Sequence, residues 1–299
     1  MKKFVGGIAL FFALFALVDL LSGFALDSLN AHVRGGDSRS HYDVFNRVSA
    51  NVVILGSSRA THHYNPTLLE DSLGLSCYNC GYDGLGIFNM FGRYSMICSR
   101  RVPKIVIYDA FAPNEIYDLD DLRDLDGLKP YCTDSCIRKI ISDVSPMENV
   151  KLVSHLYRYN TKILQILHDE VSGGPEPVKG YRPLEGSMDY TPMPFRVQYK
   201  GKQPDSLKLE YDKKLILSAK AKGVHLFFAI SPRYQATSYE DYLPLVRLCK
   251  RYDVPVLNHY CDKDIVRDKT LFKDPMHLNS TGADKYTEKI IREVKQLMN

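Results

Sequence analysis

Val52-Val53-Ile54-Leu55-Gly56-Ser57-Ser58-Arg59-Ala60 is the stretch from which the fold is read. Four consecutive apolar residues, mostly β-branched, mark a strand buried on both faces, the habit of a parallel sheet covered by helices. The run stops at a glycine followed by two small hydroxyl residues, and the polar Thr61-His62-His63 comes next. A strand ending this way leaves a serine hydroxyl at the carboxyl edge of the sheet, where parallel α/β folds carry their chemistry. That hydroxyl is a weak nucleophile until a base takes its proton. The candidate base is in Asp274-Pro275-Met276-His277-Leu278-Asn279, near the other end of the chain. An Asp three residues before a His orients one ring nitrogen while the other faces the serine.

Outward from the first strand, short apolar runs recur at 76–79, 104–109, 224–230 and 254–258. Helical periodicity falls between them, near 67–72, 87–99, 206–222 and 239–252, with a last helix to Leu297. Asn65-Pro66 is a helix-start signal, with proline suited to the first turn. Strand–helix alternation of this kind predicts a three-layer α/β/α sandwich with a mostly parallel sheet. Further helices are expected over 134–144 and 146–169.

At the serine and Asp-x-x-His blocks the chain resembles the SGNH (GDSL-type) hydrolase family. The family's first block, Gly-Asp-Ser, reads Gly56-Ser57-Ser58 here, so the resemblance assigns the nucleophile to Ser58. Its last block, Asp-x-x-His, falls on Asp274 and His277. Serine in place of aspartate at position 57 is a departure shared with membrane-anchored, cell-envelope members. The resemblance also implies an oxyanion hole made by the backbone N–H groups of Ser58 and Gly81, the latter in Asn79-x-Gly81-x-x-Gly84. The third donor would be the Asn114 amide, although the Gly-x-Asn-Asp form is absent around it. No cofactor is implied. The expected chemistry is acyl transfer from an ester, as esterase or O-acyltransferase. For an exported, tethered member the implied substrates are acylated glycans or polyols of the envelope or extracellular space. A different class of reading is an inactive protein of this fold serving in envelope polysaccharide assembly or glycan binding, with assembly proteins as partners. A nucleotide-binding reading, with Gly56-Ser57-Ser58 as an anion site, lacks Gly-x-Gly-x-x-Gly after the first strand.

The export expectation comes from the start of the chain. Met1-Lys2-Lys3 precedes an apolar run from Phe4 to Leu26, broken by Asp19. It is long enough to span a bilayer, and the lysines favour a cytoplasmic amino terminus. The competing reading is a cleaved signal peptide with Phe4–Val18 as its core. The organisation read from sequence is therefore an anchor or signal segment over 1–26, a polar tether over 27–50 and a catalytic domain over 51–299. An insertion occupies about 116–203, beginning with an acidic loop (Asp118 to Asp126). Its Gly/Pro/Tyr-rich part carries Gly173-Gly174-Pro175, Tyr181, Arg182, Tyr190, Phe195 and Arg196. It reads as a lid or substrate-binding element, or as a surface excursion over the sheet.

The formal net charge of +4, without a Lys/Arg block, gives no reason to expect nucleic acid as a partner. Seven cysteines include Cys77-x-x-Cys80 and Cys132-x-x-x-Cys136, which read either as local bridges or as free thiols. No metal site is expected, because the adjacent His62 and His63 project differently and lack carboxylates at ligand spacing. Arg59, Ser231 and Arg233 are candidate substrate contacts at strand ends. Ser57 is the rival nucleophile, and Asp109 a weaker pocket candidate.

Overall fold

The computed structural model describes residues 1–117, 121–174 and 177–298. Asp118, at the start of the expected acidic loop, and Pro175 lie outside the described residues. The chain forms two compact units: Met1–Asp43 with Asp121–Glu176, and Val44–Asp120 with Pro177–Asn299.

In chain order the elements are α1 (Lys2–His32), α2 (Gly36–Asn46), β1 (Val52–Gly56), α3 (Ser58–His63), α4 (Pro66–Leu73), β2 (Cys77–Asn79), α5 (Ile87–Arg100) and β3 (Ile105–Asp109). They continue with α6 (Asp121–Leu125), α7 (Ser135–Val144), α8 (Glu148–Lys151), α9 (Ile163–Ser172), α10 (Ser206–Ala221) and β4 (His225–Ile230). The last are α11 (Leu243–Arg251), β5 (Val256–Asn258), α12 (Lys263–Val266) and α13 (Ser280–Met298).

The larger unit is the three-layer sandwich that the alternation predicts. Its five strands are all parallel, in the order β2-β1-β3-β4-β5. Because side chains alternate along a strand, Val52 and Ile54, Ile105 and Ile107, and Phe227 and Ala229 share one face. That face packs against Leu69 of α4 and Tyr286, Ile290 and Val294 of α13. On the other face Tyr108 meets Phe228, and Phe88 of α5 meets Tyr211 of α10. Every residue of β1 and β3 is buried, which explains why both read as unbroken apolar runs. Strand order reverses between β1 and β3, and Ser58 follows the carboxyl end of β1 at that switch point.

The turn that delivers Ser58 depends on Gly56. Its φ is +135°, and a Cβ there would lie 2.3 Å from the Asp109 carbonyl oxygen on the paired strand. No side chain fits that approach.

Two expectations are corrected. Residues 27–50 are not a polar tether, because α1 runs on to His32, α2 follows, and Val44, Phe45 and Val48 are buried. Nor is 146–169 one helix: it breaks into α8, a 3-10 turn over Leu156–Tyr159, and α9. The break has a cause within the smaller unit, where Ser154 Oγ and the His155 and Leu156 N–H groups all donate to the Asp19 carboxylate of α1. Those backbone donors are spent on a carboxylate rather than on a continuous helix.

Candidate active site

Ser57 caps α3 and Ser58 is its first residue, so the Ser58 N–H belongs to a helical first turn without intrahelical acceptors. The histidine loop comes from the other direction. An isolated bridge between Phe272 and Leu278 brings the chain back before α13, and Asp274 closes the intervening turn. Its Oδ1 accepts from Met276 N–H at 2.7 Å and His277 N–H at 3.0 Å. The same carboxylate then faces the ring it helps to aim, with Oδ2 2.9 Å from His277 Nδ1. On the far side of the ring, His277 Nε2 lies 2.8 Å from Ser58 Oγ. Burial alone would raise the Asp274 carboxyl, but the His277 contacts and backbone donors hold it below the usual range. A carboxylate kept ionised in this position fixes Nδ1–H and leaves Nε2 free to accept.

Ser57 is turned away from this chain. It is buried, and its Oγ accepts from Asn114 Nδ2 at 3.3 Å. Asn114 itself sits in a single π-helical turn, Pro113–Tyr117, after β3, and its carbonyl accepts from buried Lys208 Nζ at 2.8 Å. Gly81 departs from its expected role. Its N–H donates to Asn79 Oδ1 at 3.0 Å, while the Asn79 amide bonds the Ala60 and Tyr64 carbonyls. The glycine there serves close approach, since a Cβ would sit 2.7 Å from Thr61 N.

Arg59 and Ser231, expected to face substrate, are both buried. The Arg59 guanidinium donates from Nε to Ser231 Oγ at 2.8 Å, from Nη1 to Tyr242 OH at 2.9 Å and from Nη2 to the Ser231 carbonyl. It also pairs with the Asp109 carboxylate at 3.8 Å. Burial opposes its charge, yet Tyr242 and Asp109 hold its pKa above the ordinary arginine value. Asp109 is likewise internal, accepting from Tyr64 OH, and is not a pocket residue. Arg233 packs over the Phe195 ring at 4.8 Å and lies 3.5 Å from Tyr260 OH. Its contacts are with aromatic side chains, not with the Ser58–His277 pair.

One residue that sequence reading treated only as a metal candidate has a central place. His63 Nε2 accepts from the Leu278 N–H at 3.0 Å, and its Nδ1 faces Ser231 Oγ at 3.0 Å. Burial and then the Arg59 charge push its pKa well below the ordinary histidine value, so the ring is neutral. His62 packs edge-on to His277, with ring centroids 5.7 Å apart, and its Nε2 is 3.3 Å from Asp83 Oδ2. A signal for this network lay in the sequence: Arg59, Asp109 and Ser231 all stand at carboxyl ends of strands, which a parallel sheet gathers at one edge.

The segment expected as a lid is tied down where it passes the site. Arg182 N–H donates to the Thr61 carbonyl, Met188 N–H to that of Phe272, and Ser280 N–H to that of Leu184. Tyr181 is buried. This part behaves as the surface excursion and walls the site. Among the described residues no group of three or more His, Cys, Asp or Glu is arranged to hold a metal. All seven cysteines are free thiols, and burial pushes the Cys80 thiol up to about 12.

No protein-family model and no curated protein matches the chain. Among solved structures it is similar to a protein assigned to the G-D-S-L lipolytic family from Desulfitobacterium hafniense DCB-2. Identity there is 14%, the TM-score is 0.41, and the match covers 81% of this chain and 97% of that one. It is similar also to a protein assigned as an acylhydrolase from Bacteroides fragilis NCTC 9343, at 11% identity and TM-score 0.41, covering 90% and 94%. A GDSL-like lipase from Bacteroides thetaiotaomicron VPI-5482 matches at 10% identity and TM-score 0.37, covering 91% and 98%.

Proposed function

We propose that this chain is an SGNH-type serine esterase or O-acyltransferase, held at a membrane by α1 and working on acyl esters of extracytoplasmic glycans or polyols. The observation that carries the catalytic part is the unbroken line Ser58 Oγ–His277 Nε2, His277 Nδ1–Asp274 Oδ2, at 2.8 and 2.9 Å. Ser58 Oγ attacks the ester carbonyl while His277 Nε2 takes its proton, and the imidazolium formed is stabilised by Asp274. Collapse of the tetrahedral intermediate expels the alcohol, which leaves with the proton from His277, and the acyl group remains on Ser58 as an ester. Water or a sugar hydroxyl, deprotonated by His277, then takes the acyl group; the first acceptor makes an esterase, the second a transferase. The Ser58 N–H and the Asn114 amide are the proposed oxyanion donors, each typically worth about 3 kcal/mol in such sites.

The anchor reading is supported by the 31 residues of α1, whose apolar window is wholly unburied. The carboxyl half of α1 is built into the smaller unit through Asp19 and Gly23, where a Cβ on Gly23 would meet His155. That favours a retained helix over a cleaved signal. Lys2 and Lys3 favour an inside amino terminus and a catalytic domain outside. The glycan ester as substrate follows from the family resemblance combined with this anchor.

The test is hydrolysis of p-nitrophenyl acetate by the full chain, beside labelling with a fluorophosphonate. Ser58→Ala and His277→Ala are expected to abolish both, and Ser57→Ala to retain both. A second reading, a glycan-binding or assembly protein on the same fold, is favoured by one observation: the Gly81 N–H is occupied by Asn79. An unlabelled, inactive parent would count against an esterase and favour that reading, with a transferase that needs its own acyl donor then to be excluded.

A further inference from the structure

The smaller unit exposes apolar side chains in a pattern that water does not favour. On α9, Leu164, Leu167 and Val171 are 82%, 46% and 86% exposed, at helical spacing along one face. The opposite, buried face carries Asp169, whose Oδ2 accepts from the Ser38 N–H at 2.9 Å. The helix thus buries Ile166 together with this carboxylate and turns its leucines outward. Before it, Val150, Val153 and Leu156 are 66%, 77% and 41% exposed, three residues apart. Two segments that follow one another in the chain, within the same unit, share this apolar exposure, which is more than a single stray side chain.

Asp19 says what covers that surface. The hydrocarbon core of a bilayer is about 30 Å thick and needs roughly 20 helical residues. From Phe4 to Val18 α1 rises only about 22 Å at 1.5 Å per residue. A span starting after Lys2-Lys3 therefore includes Asp19 within its last few turns before the far interface. A carboxylate at that depth is costly unless donors reach it. Ser154 Oγ at 2.5 Å, His155 N–H at 2.7 Å and Leu156 N–H at 3.1 Å reach it. The donor turn therefore lies at the level of Asp19, and the exposed Val153 and Leu156 beside it lie there too.

We infer that residues 147–172 form a second membrane element, seated in the outer-leaflet interface against α1, with Val150, Val153, Leu156, Leu164, Leu167 and Val171 facing lipid. This rests on the anchor reading of α1. An amphipathic segment of this kind lies in the interface plane with its apolar face among the acyl chains. It holds the smaller unit to the bilayer at two places and supplies the polar contacts that an acidic residue in the span requires.

The chain contains no tryptophan, so a single introduced one reports its own surroundings. The experiment uses full-length Leu10→Trp, Val153→Trp, Leu164→Trp and Val171→Trp, each reconstituted in phosphatidylcholine–phosphatidylglycerol vesicles. The vesicles are made with chains brominated near the headgroup, brominated near the bilayer centre, or unbrominated. Leu10→Trp is expected to be quenched most by the deep bromines. Val153→Trp and at least one of the two α9 variants are expected to be quenched most by the shallow bromines, to half the extent of Leu10→Trp or more. Quenching of Leu10→Trp alone overturns the inference, leaves the anchor standing, and means that water or protein covers the face. Absence of quenching at Leu10→Trp overturns the anchor, and the inference with it.

Discussion

His63 Nε2 accepts the backbone N–H of Leu278 at 3.0 Å, so the helix that begins with Ser58 grips the loop that carries His277. The contact joins residues 215 apart in the chain. It is buried and backed by Ser231, whose Oγ receives Arg59 as well as facing His63. Ser58 and His277 are therefore registered through a neutral imidazole and a buried guanidinium as well as through their own hydrogen bond.

His63→Ala leaves the Leu278 N–H without its acceptor, and a buried unsatisfied donor costs about 1–3 kcal/mol. A loss of that size in urea unfolding is expected, with His63→Gln recovering part because an amide can both accept and donate. Looser placement of His277 should lower kcat on p-nitrophenyl acetate by roughly 10–100-fold, with little change in KM. The pH dependence has a definite sign. The folded pKa is depressed below the ordinary histidine value of 6.5, so below it the unfolded chain binds the proton that the folded ring refuses. This contribution to stability is full above pH 6.5 and is lost as pH falls below it. The fall should be smaller in His63→Gln, as read by thermal melts from pH 7.5 to 5.

In the proposed triad Asp274 acts through the ring it faces. In Asp274→Asn the amide oxygen retains an acceptor for the turn N–H groups, so the fold should persist. The replacement cannot stabilise an imidazolium, and an amide facing Nδ1 selects the wrong tautomer. A drop in kcat of roughly 10³–10⁴-fold is expected, with a melting temperature within a few degrees of the parent. Equal loss of melting temperature and activity would show a structural role only.

How much of this was legible beforehand depends on how local the cause is. β1 and β3 were readable because burial on both faces demands unbroken apolar runs, and α4 because Asn65 accepts from Thr67 N–H in front of Pro66. The spacing of Asp274 and His277 was readable because three residues is the span of the turn they close. What failed was long-range. Whether Gly81 N–H is available depends on which way the Asn79 side chain turns. Arg59 was misread because its partners are 172 and 183 residues away. The break at 154–156 answers to Asp19, more than a hundred residues earlier.

Arg59 offers a clean separation between substrate binding and internal support. Removing one member of a buried ion pair costs about 3–5 kcal/mol, because the other charge is left uncompensated. Arg59→Met should lose stability on that scale in urea unfolding, with the Asp109 carboxylate left without its counter-charge. Any activity that survives at low temperature should keep its KM for p-nitrophenyl acetate. A variant with parental stability and a raised KM would return Arg59 to the substrate.

Glu115 carries the opposite pH dependence to His63. It follows Asn114 in the π-helical turn, is buried, and accepts from Tyr108 OH at 2.8 Å. Burial pushes its carboxyl up to about 7 against the contrary pull of Asp212, Tyr108 and Lys208, and burial raises Asp212 too. The folded protein therefore holds a proton that the unfolded chain releases near the ordinary glutamate value of 4.5. Here the stabilising contribution is full below that value and is lost as pH rises to about 7. Glu115→Gln keeps the hydrogen-bonding shape of the protonated acid and cannot ionise. Its stability relative to the parent should therefore improve from pH 5 to 8, by an amount on the order of 1–3 kcal/mol for a shift of this size. Parallel stability curves for parent and variant across that range would mean that Glu115 is ionised throughout, with Lys208 as its counter-charge.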